Sequence, residues 1–252
     1  MSHEIVRHHD AEDLAVSTAA RLVTTVVNLL DIHDRVSVVL TGGRIAGVVL
    51  FALADPITSG AIDWSRVDLW WGDERYLPVG DPERNDTLAE TRLLSQVSIP
   101  ASCIHRMAGP ESSESAGAAA EAYADELAAY ARSRDGRPLF DIVLLSIGPD
   151  GHVASLFPES AQLRSGQLVM AVVDAPKPPP TRVSLGFTAL NDCTQAWLLA
   201  SGEEKAEVVD LMLTKGAGPL QIPAAGISAS ERTLLLIDES AASRLATDIG
   251  TR

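Results

Sequence analysis

In the stretch LLSIGPDGHVASLFP, residues 144–158, an apolar run crosses Gly148, Pro149, Asp150 and Gly151 and then presents His152, the only histidine in the second half of the chain. An imidazole titrates ordinarily near neutral pH, so it can take a proton from water and return it to a leaving group. Asp150 lies two residues away, near enough to steady or charge-tune the ring, and the two glycines permit a bend that a side chain would obstruct. A structural histidine is the competing reading of the same residues.

Charged and glycine residues gather at further points. In LTGGR, residues 40–44, Gly42 and Gly43 would let backbone N–H groups approach an anion at a helix N-terminus. A plain tight turn uses the same residues, and the segment is neither GxGxxG nor a GK[ST] loop, so no dinucleotide or nucleoside triphosphate is indicated. In WWGDERYLP, residues 70–78, Asp73 and Arg75 stand behind a Trp pair, either facing a substrate or belonging to a solvated loop. Arg182 follows KPPP. Lys205 opens a helix, where the dipole disfavours a cation and so hints at a bound anion, unless Lys205 pairs with Glu203, Glu204 or Glu207.

These residues need elements to position them. The sequence predicts a helix over 10–33, N-capped by Asp10, and a β-branched strand in VSVVLTGG ending in glycines. GVVLFALAD reads as helix, RVDLWWGDE as strand into loop, DTLAETRLLSQV as helix, CIHRMA as a short strand and ESAGAAAEAYADELAAYARSR as a long helix. FDIVLLSIG, LVMAVVD, RVSLGFTAL, QAWLLAS and TLLLIDES read as strands, RVSLGFTAL running into a short helix. GEEKAEVVDLML is a helix between the last two, and a final helix starts near Ala241. Nearly all-apolar strands alternating with helices imply a mostly parallel α/β sheet covered on both faces, with ligands beyond the carboxyl ends of the strands. No internal repeat or linker divides residues 1–252, which predicts one catalytic domain; the Pro-rich segment 174–182 is a stiff loop.

The 252 residues carry a net charge of −14, with 46% hydrophobic and 21% charged residues. That balance describes a globular protein and argues against nucleic acid, which is bound through clustered Lys and Arg. Only Lys177, Lys205 and Lys215 are lysines, so a local group of cations must overcome the global field if the ligand is an anion. The N-terminal MSHEIVRHHD lacks the apolar core of a signal peptide, and no run approaches the roughly 20 apolar residues of a membrane helix, which predicts a cytoplasmic protein with no membrane partner. Cys103 and Cys193 read as buried small hydrophobes, and His3, His8 and His9 as a solvated tail rather than a metal site.

LTGG, GDERYLP followed by PERN, DIVLLSIGPDGHVASLFP, PKPPPTRVSL, WLLASGEEKAEVV and IPAAGI together resemble, in order and spacing, the 6-phosphogluconolactonases. The resemblance runs from about residue 36 to the end, and GPDGHVASLFP is its most specific element. It implies a Rossmann-like, doubly wound fold related to the glucosamine-6-phosphate deaminases. It also implies hydrolysis of 6-phospho-D-glucono-1,5-lactone to 6-phosphogluconate in the oxidative pentose phosphate pathway. Under it His152 takes the place of the general base and Asp150 that of its acidic partner. Asp73 and Arg75 take the pocket floor, and Gly42, Gly43, Arg182 and Lys205 hold the sugar phosphate. Arg44 stands where the family usually has Ser or Thr, and either contacts the phosphate or points to solvent; Ser146 replaces a common glycine. A lactone is an activated ester, so no covalent nucleophile, metal or cofactor is required, and no obligate protein partner is evident.

The alternative on the same fold, an aminosugar-phosphate deaminase, resembles DGHIAFNEP and needs a Glu five residues beyond the His, where this chain has Phe157. A sugar-phosphate sensor needs a DNA-binding segment, and the first 35 residues offer one helix with no second to make a helix-turn-helix. The chain length leaves no room for a second catalytic domain of a fused or scaffolding protein.

Overall fold

The computed structural model describes residues 3–214 and 216–246. Strand β1 (Glu4–His8) and helix α1 (Ala11–Ile32) come first, then β2 (Val36–Leu40), α2 (Arg44–Leu53) and the single turn α3 (Pro56–Ser59). Next are β3 (Val67–Trp71), β4 (Asp73–Arg75), α4 (Asn85–Arg92), α5 (Ala116–Ala131) and β5 (Phe140–Ser146). The last elements are β6 (Val169–Val172), β7 (Arg182–Leu185), α6 (Phe187–Leu190), β8 (Cys193–Ala200), α7 (Ala206–Thr214) and β9 (Arg232–Asp238).

Six strands form one parallel sheet in the order β1-β9-β8-β5-β2-β3. Side chains alternate across it, as the pleat requires. Ile142 and Leu144 of β5 face the layer of α1 and α2, with Leu14, Leu22, Val49 and Leu50, while Val143 and Leu145 face α5 and α7 on the other side. The helices therefore cover both faces, and the Rossmann-like arrangement expected from the alternation is present. The chain first runs outward from β2 to β3 and then returns to β5 on the opposite side of β2. That reversal opens a crevice between the carboxyl ends of β2 and β5, the place where such sheets bind ligands.

The predicted helix over 10–33 is α1, and Asp10 caps it by accepting hydrogen bonds from the N–H groups of Glu12 and Asp13. Other expectations need correction. The N-terminal segment is an edge strand in register with β9, Glu4 opposite Leu234, and His8 is buried, so it is no solvated tail. Five residues with two apolar side chains carry little signal until β9 supplies the partner ladder. CIHRMA is not a strand: a short 3-10 turn ends at Cys103, and only Ile104 bridges to Leu69 before the chain leaves the sheet edge. LVMAVVD and RVSL do not join the parallel sheet; they pair antiparallel with each other and with β4 in a second sheet of order β4-β7-β6. Gly72 is the junction, donating to the Leu40 carbonyl of the large sheet and accepting from the Leu185 N–H of the small one. From Ala241 to Leu245 the backbone makes turns closed on Asp238 and Ala242, and residues 247–252 lie outside the described part. By length and composition α1 is apolar enough to cross a membrane, contrary to the sequence reading; its Leu14, Leu22 and Val26 instead pack into the core.

Candidate active site

Five segments converge at the crevice. The ends of β2, β5 and β8 contribute Thr41 to Arg44, Ser146 to Pro149 with His152, and Ser201 with Lys205; Asp73, Arg75 and Asn85 come from β4 and α4, and Lys177 and Arg182 from the Pro-rich loop and β7. They line a cleft of about 380 Å3. Every residue singled out in the sequence lines it except Asp150, which reaches it through His152.

The turn after β5 is closed by two backbone bonds, from Gly148 N–H to the His152 carbonyl at 2.8 Å and from Gly151 N–H to the Gly148 carbonyl at 2.9 Å. Gly151 has φ +85°, the left-handed region that favours glycine. Gly148 is needed for space: a Cβ there would fall 2.0 Å from His152 Nδ1 and Cε1. The imidazole is thus pressed flat against its own turn, with Phe157 on another side at a 4.7 Å centroid distance.

His152 Nδ1 lies 2.5 Å from Asp150 Oδ1, and Lys177 Nζ lies 3.1 Å from the same oxygen and 3.4 Å from Nδ1. With the carboxylate accepting a hydrogen bond from Nδ1–H, the neutral tautomer keeps its lone pair on Nε2, which has no protein partner among the described residues. Burial would raise the Asp150 pKa, but the hydrogen bonds and charges of His152 and Lys177 outweigh it and hold the carboxyl below its usual range. A carboxylate so held stays ionised and fixes the ring.

The floor is built around Asp73 and Asn85. Asp73 Oδ2 accepts from Ser155 Oγ at 2.6 Å, and Arg182 Nη1 stands 3.9 Å from it. Asn85 Nδ2 donates to the Asp73 carbonyl at 2.8 Å, while Asn85 Oδ1 accepts from Arg75 at 2.7 Å. Fully buried Arg84 grips Asp86 through two 2.8 Å bonds and the Met107 and Leu77 carbonyls, and Glu74 accepts from the Asn85 and Asp86 N–H groups. This network fixes Asn85 against Gly42, where a Cβ would come 1.8 Å from Asn85 Oδ1.

At the other end Gly43, with φ +98°, caps α2, and Ser146 Oγ donates to the Gly42 carbonyl at 2.9 Å. Arg182 is buried and spends Nε and Nη2 on the carbonyls of Pro179, Lys177 and Pro178, so it also shapes the Pro-rich loop. Lys205 makes no ion pair within 4 Å among the described residues, which removes the expected alternative of pairing with Glu203, Glu204 or Glu207. Burial lowers its pKa, with Lys177 and Arg44 pushing the same way and Glu204 and Asp150 opposing. Arg44 is exposed and bonded to Glu204. Among the described residues no group of three His, Cys, Asp or Glu is gathered to hold a metal ion.

Residues 9–236 match the family of glucosamine-6-phosphate isomerases/6-phosphogluconolactonase. The chain belongs to that family. A 6-phosphogluconolactonase of Streptomyces coelicolor is 48% identical over 248 residues, covering 96% of this chain and 94% of the relative, and one of Mycobacterium leprae is 41% identical, covering 97% and 99%. The crystal structure of a 6-phosphogluconolactonase from Thermotoga maritima superposes with a TM-score of 0.79 at 28% identity, over 94% of this chain and 100% of that one. The sequence reading, an enzyme resembling the 6-phosphogluconolactonases, stands. Within the family the deaminase-like requirement for a Glu at position 157 is not met, because Phe157 is buried beneath His152.

Sequence reasoning passed over Lys177, Asn85 and Ser155. Lys177 and Asn85 stand inside the family-like segments PKPPP and PERN, so the signal was available there. Ser155 likewise stands inside GPDGHVASLFP, but its partner is not legible there, since only the fold brings it to Asp73 from 82 positions away.

Proposed function

We propose that the protein hydrolyses 6-phospho-D-glucono-1,5-lactone to 6-phosphogluconate in the oxidative pentose phosphate pathway, by water that His152 activates. The observation that carries this reading is the Asp150-anchored imidazole with a free Nε2 in a cleft that also holds Lys177, Arg182 and Lys205. Nε2 takes a proton from water as its oxygen attacks C1 of the lactone. The C1–O5 bond then breaks, the ring oxygen receives the proton from His152, and the new carboxyl group ionises. Such proton transfer contributes about 10²- to 10⁴-fold. Arg75, whose buried Nε has no hydrogen-bond partner among the described residues, sits at the floor beside Asp73 and would hold the developing oxyanion. Gly42, Gly43, Arg44, Arg182 and Lys205 hold the distal phosphate, and that grip positions the ring. The reaction needs one catalytic unit, no cofactor and a small phosphorylated substrate, and we place it in the cytoplasm.

The test is a coupled assay in which the lactone is generated in place and 6-phosphogluconate is followed with its dehydrogenase, spontaneous hydrolysis setting the background. Wild type should exceed that background, and folded His152→Ala should fall about 10²- to 10⁴-fold toward it. A His152→Ala protein as fast as wild type would remove the histidine from the mechanism.

A further inference from the structure

Arg44 and Glu204 meet across the mouth of the cleft although 160 positions separate them in the chain. Arg44 occupies the first turn of α2, directly after Gly43, and its side chain is 79% exposed. Glu204 belongs to the 3-10 turn Glu203–Lys205 that follows Gly202, and is 46% exposed. Its carboxylate folds back over that turn so closely that a Cβ on Gly202 would come within 2.4 Å of Oε2. The hydrogen bond from its own backbone N–H, helped by Arg44 and Lys205 against slight burial, keeps Glu204 ionised. Lys177 and Arg44 meanwhile both bear electrostatically on Lys205 inside a single cleft, and Glu204 is the carboxylate bonded to Arg44.

We propose that Glu204 is an exchangeable counter-ion: it holds the Arg44 guanidinium at the mouth, and the phosphate of the substrate displaces it. This rests on the phosphorylated-lactone reading above. An exposed ion pair is worth little net energy, so giving it up costs little, whereas a phosphate dianion offers the guanidinium fork two charged oxygens at once. A neutral sugar offers no such exchange and leaves Arg44 with Glu204. Arg44 therefore favours phosphorylated over unphosphorylated lactones, Glu204 moderates that preference, and the exchange gives Arg44 a role in binding. Glu204 also re-forms its bond as the product leaves, so it limits how tightly a phosphorylated product is retained.

The test uses inorganic phosphate titrated calorimetrically into wild type, Glu204→Gln, Arg44→Ser and the double variant, with melting temperatures to confirm folding and KM for the lactone measured alongside. Freed from its counter-ion, Arg44 should bind phosphate about two- to fivefold more tightly in Glu204→Gln, with KM lowered in parallel. Arg44→Ser should weaken phosphate, and adding Glu204→Gln to it should restore nothing. Equal affinities in wild type and Glu204→Gln overturn the exchange. So does a gain that persists without Arg44, because it would mark general removal of negative charge rather than release of that guanidinium. Absence of lactone hydrolysis in wild type would instead sink the proposed function, and the calorimetry would still decide the exchange.

Discussion

Away from the exposed His9–Asp10 pair, His152 and His105 each hold a carboxylate through Nδ1, and their fates differ. His152 meets Asp150 at 2.5 Å and His105 meets Glu126 at 2.6 Å. His105 lies flat on Trp70, ring centroids 3.8 Å apart, and its Nε2 faces Asp68 at 3.5 Å; Asp68 is also bound by Arg35 and Tyr130. Both nitrogens of His105 are spoken for, whereas His152 leaves Nε2 free. A histidine beside a carboxylate is therefore not enough to mark a base. What separates the two is closure: around Asp68 each charge has its partner inside the protein, and in the cleft Lys205 and the Arg75 Nε have none among the described residues.

The comparison breaks most sharply at Gly148. Gly148→Ala puts a methyl group where the His152 ring now lies, so the imidazole must move by an ångström or more, and kcat on the lactone should fall roughly 10²-fold while the melting temperature changes little. A full-speed Gly148→Ala enzyme would show that ring placement is not what distinguishes His152.

His105 is expected to act in the opposite sense. Burial lowers its pKa, but hydrogen bonds and charge from Asp68 and Glu126 prevail and raise it. A raised histidine pKa stabilises the fold fully below the ordinary value and loses that contribution as pH rises through the folded one. His105→Gln should lower the melting temperature by about 2–4 °C, the response to roughly 1 kcal/mol in a chain of this size, and flatten its decline as pH rises above the ordinary histidine value. Activity per folded molecule should not change; a loss of kcat would join His105 to the site.

Lys177 gives the smallest effect. It is partly exposed and steadies Asp150 from 3.1 Å, so Lys177→Met should reduce kcat/KM about two- to fivefold, and Lys177→Arg should restore most of it. An unaltered Lys177→Met would leave Asp150 and His152 sufficient by themselves.

Much of this was legible in the residues. Apolar β-branched runs such as FDIVLLS form buried strands as read, Asp10 capped its helix as its position required, Gly42 and Gly148 stand where a Cβ would strike Asn85 and His152, and Gly43 and Gly151 where φ is positive. Several features were hidden because they depend on partners far along the chain. EIVRH becomes a strand only beside β9, and LVMAVVD shows its antiparallel partner only after Gly72 turns the chain out of the large sheet. The isolated CIHRMA has strand-like composition, yet the sheet edge offers it pairing for Ile104 alone. Within the site the residues aligned by sequence came together, while the contacts that Lys177, Asn85 and Ser155 make with Asp150, Arg75 and Asp73 appear only once the fold joins their segments.

The pairing of β1 with β9 also sets an order of events. Glu4 lies opposite Leu234, so β1 has no ladder partner until β9 is made. During synthesis that edge must wait, with Ile5 and Val6 uncovered, while β2, β3, β5 and β8 assemble beside one another. Closing so long a loop costs little more than closing one of half its length, because the entropy grows only logarithmically. The delay is thus one of timing, and β1 takes its place in the sheet only once β9 is there to pair with it.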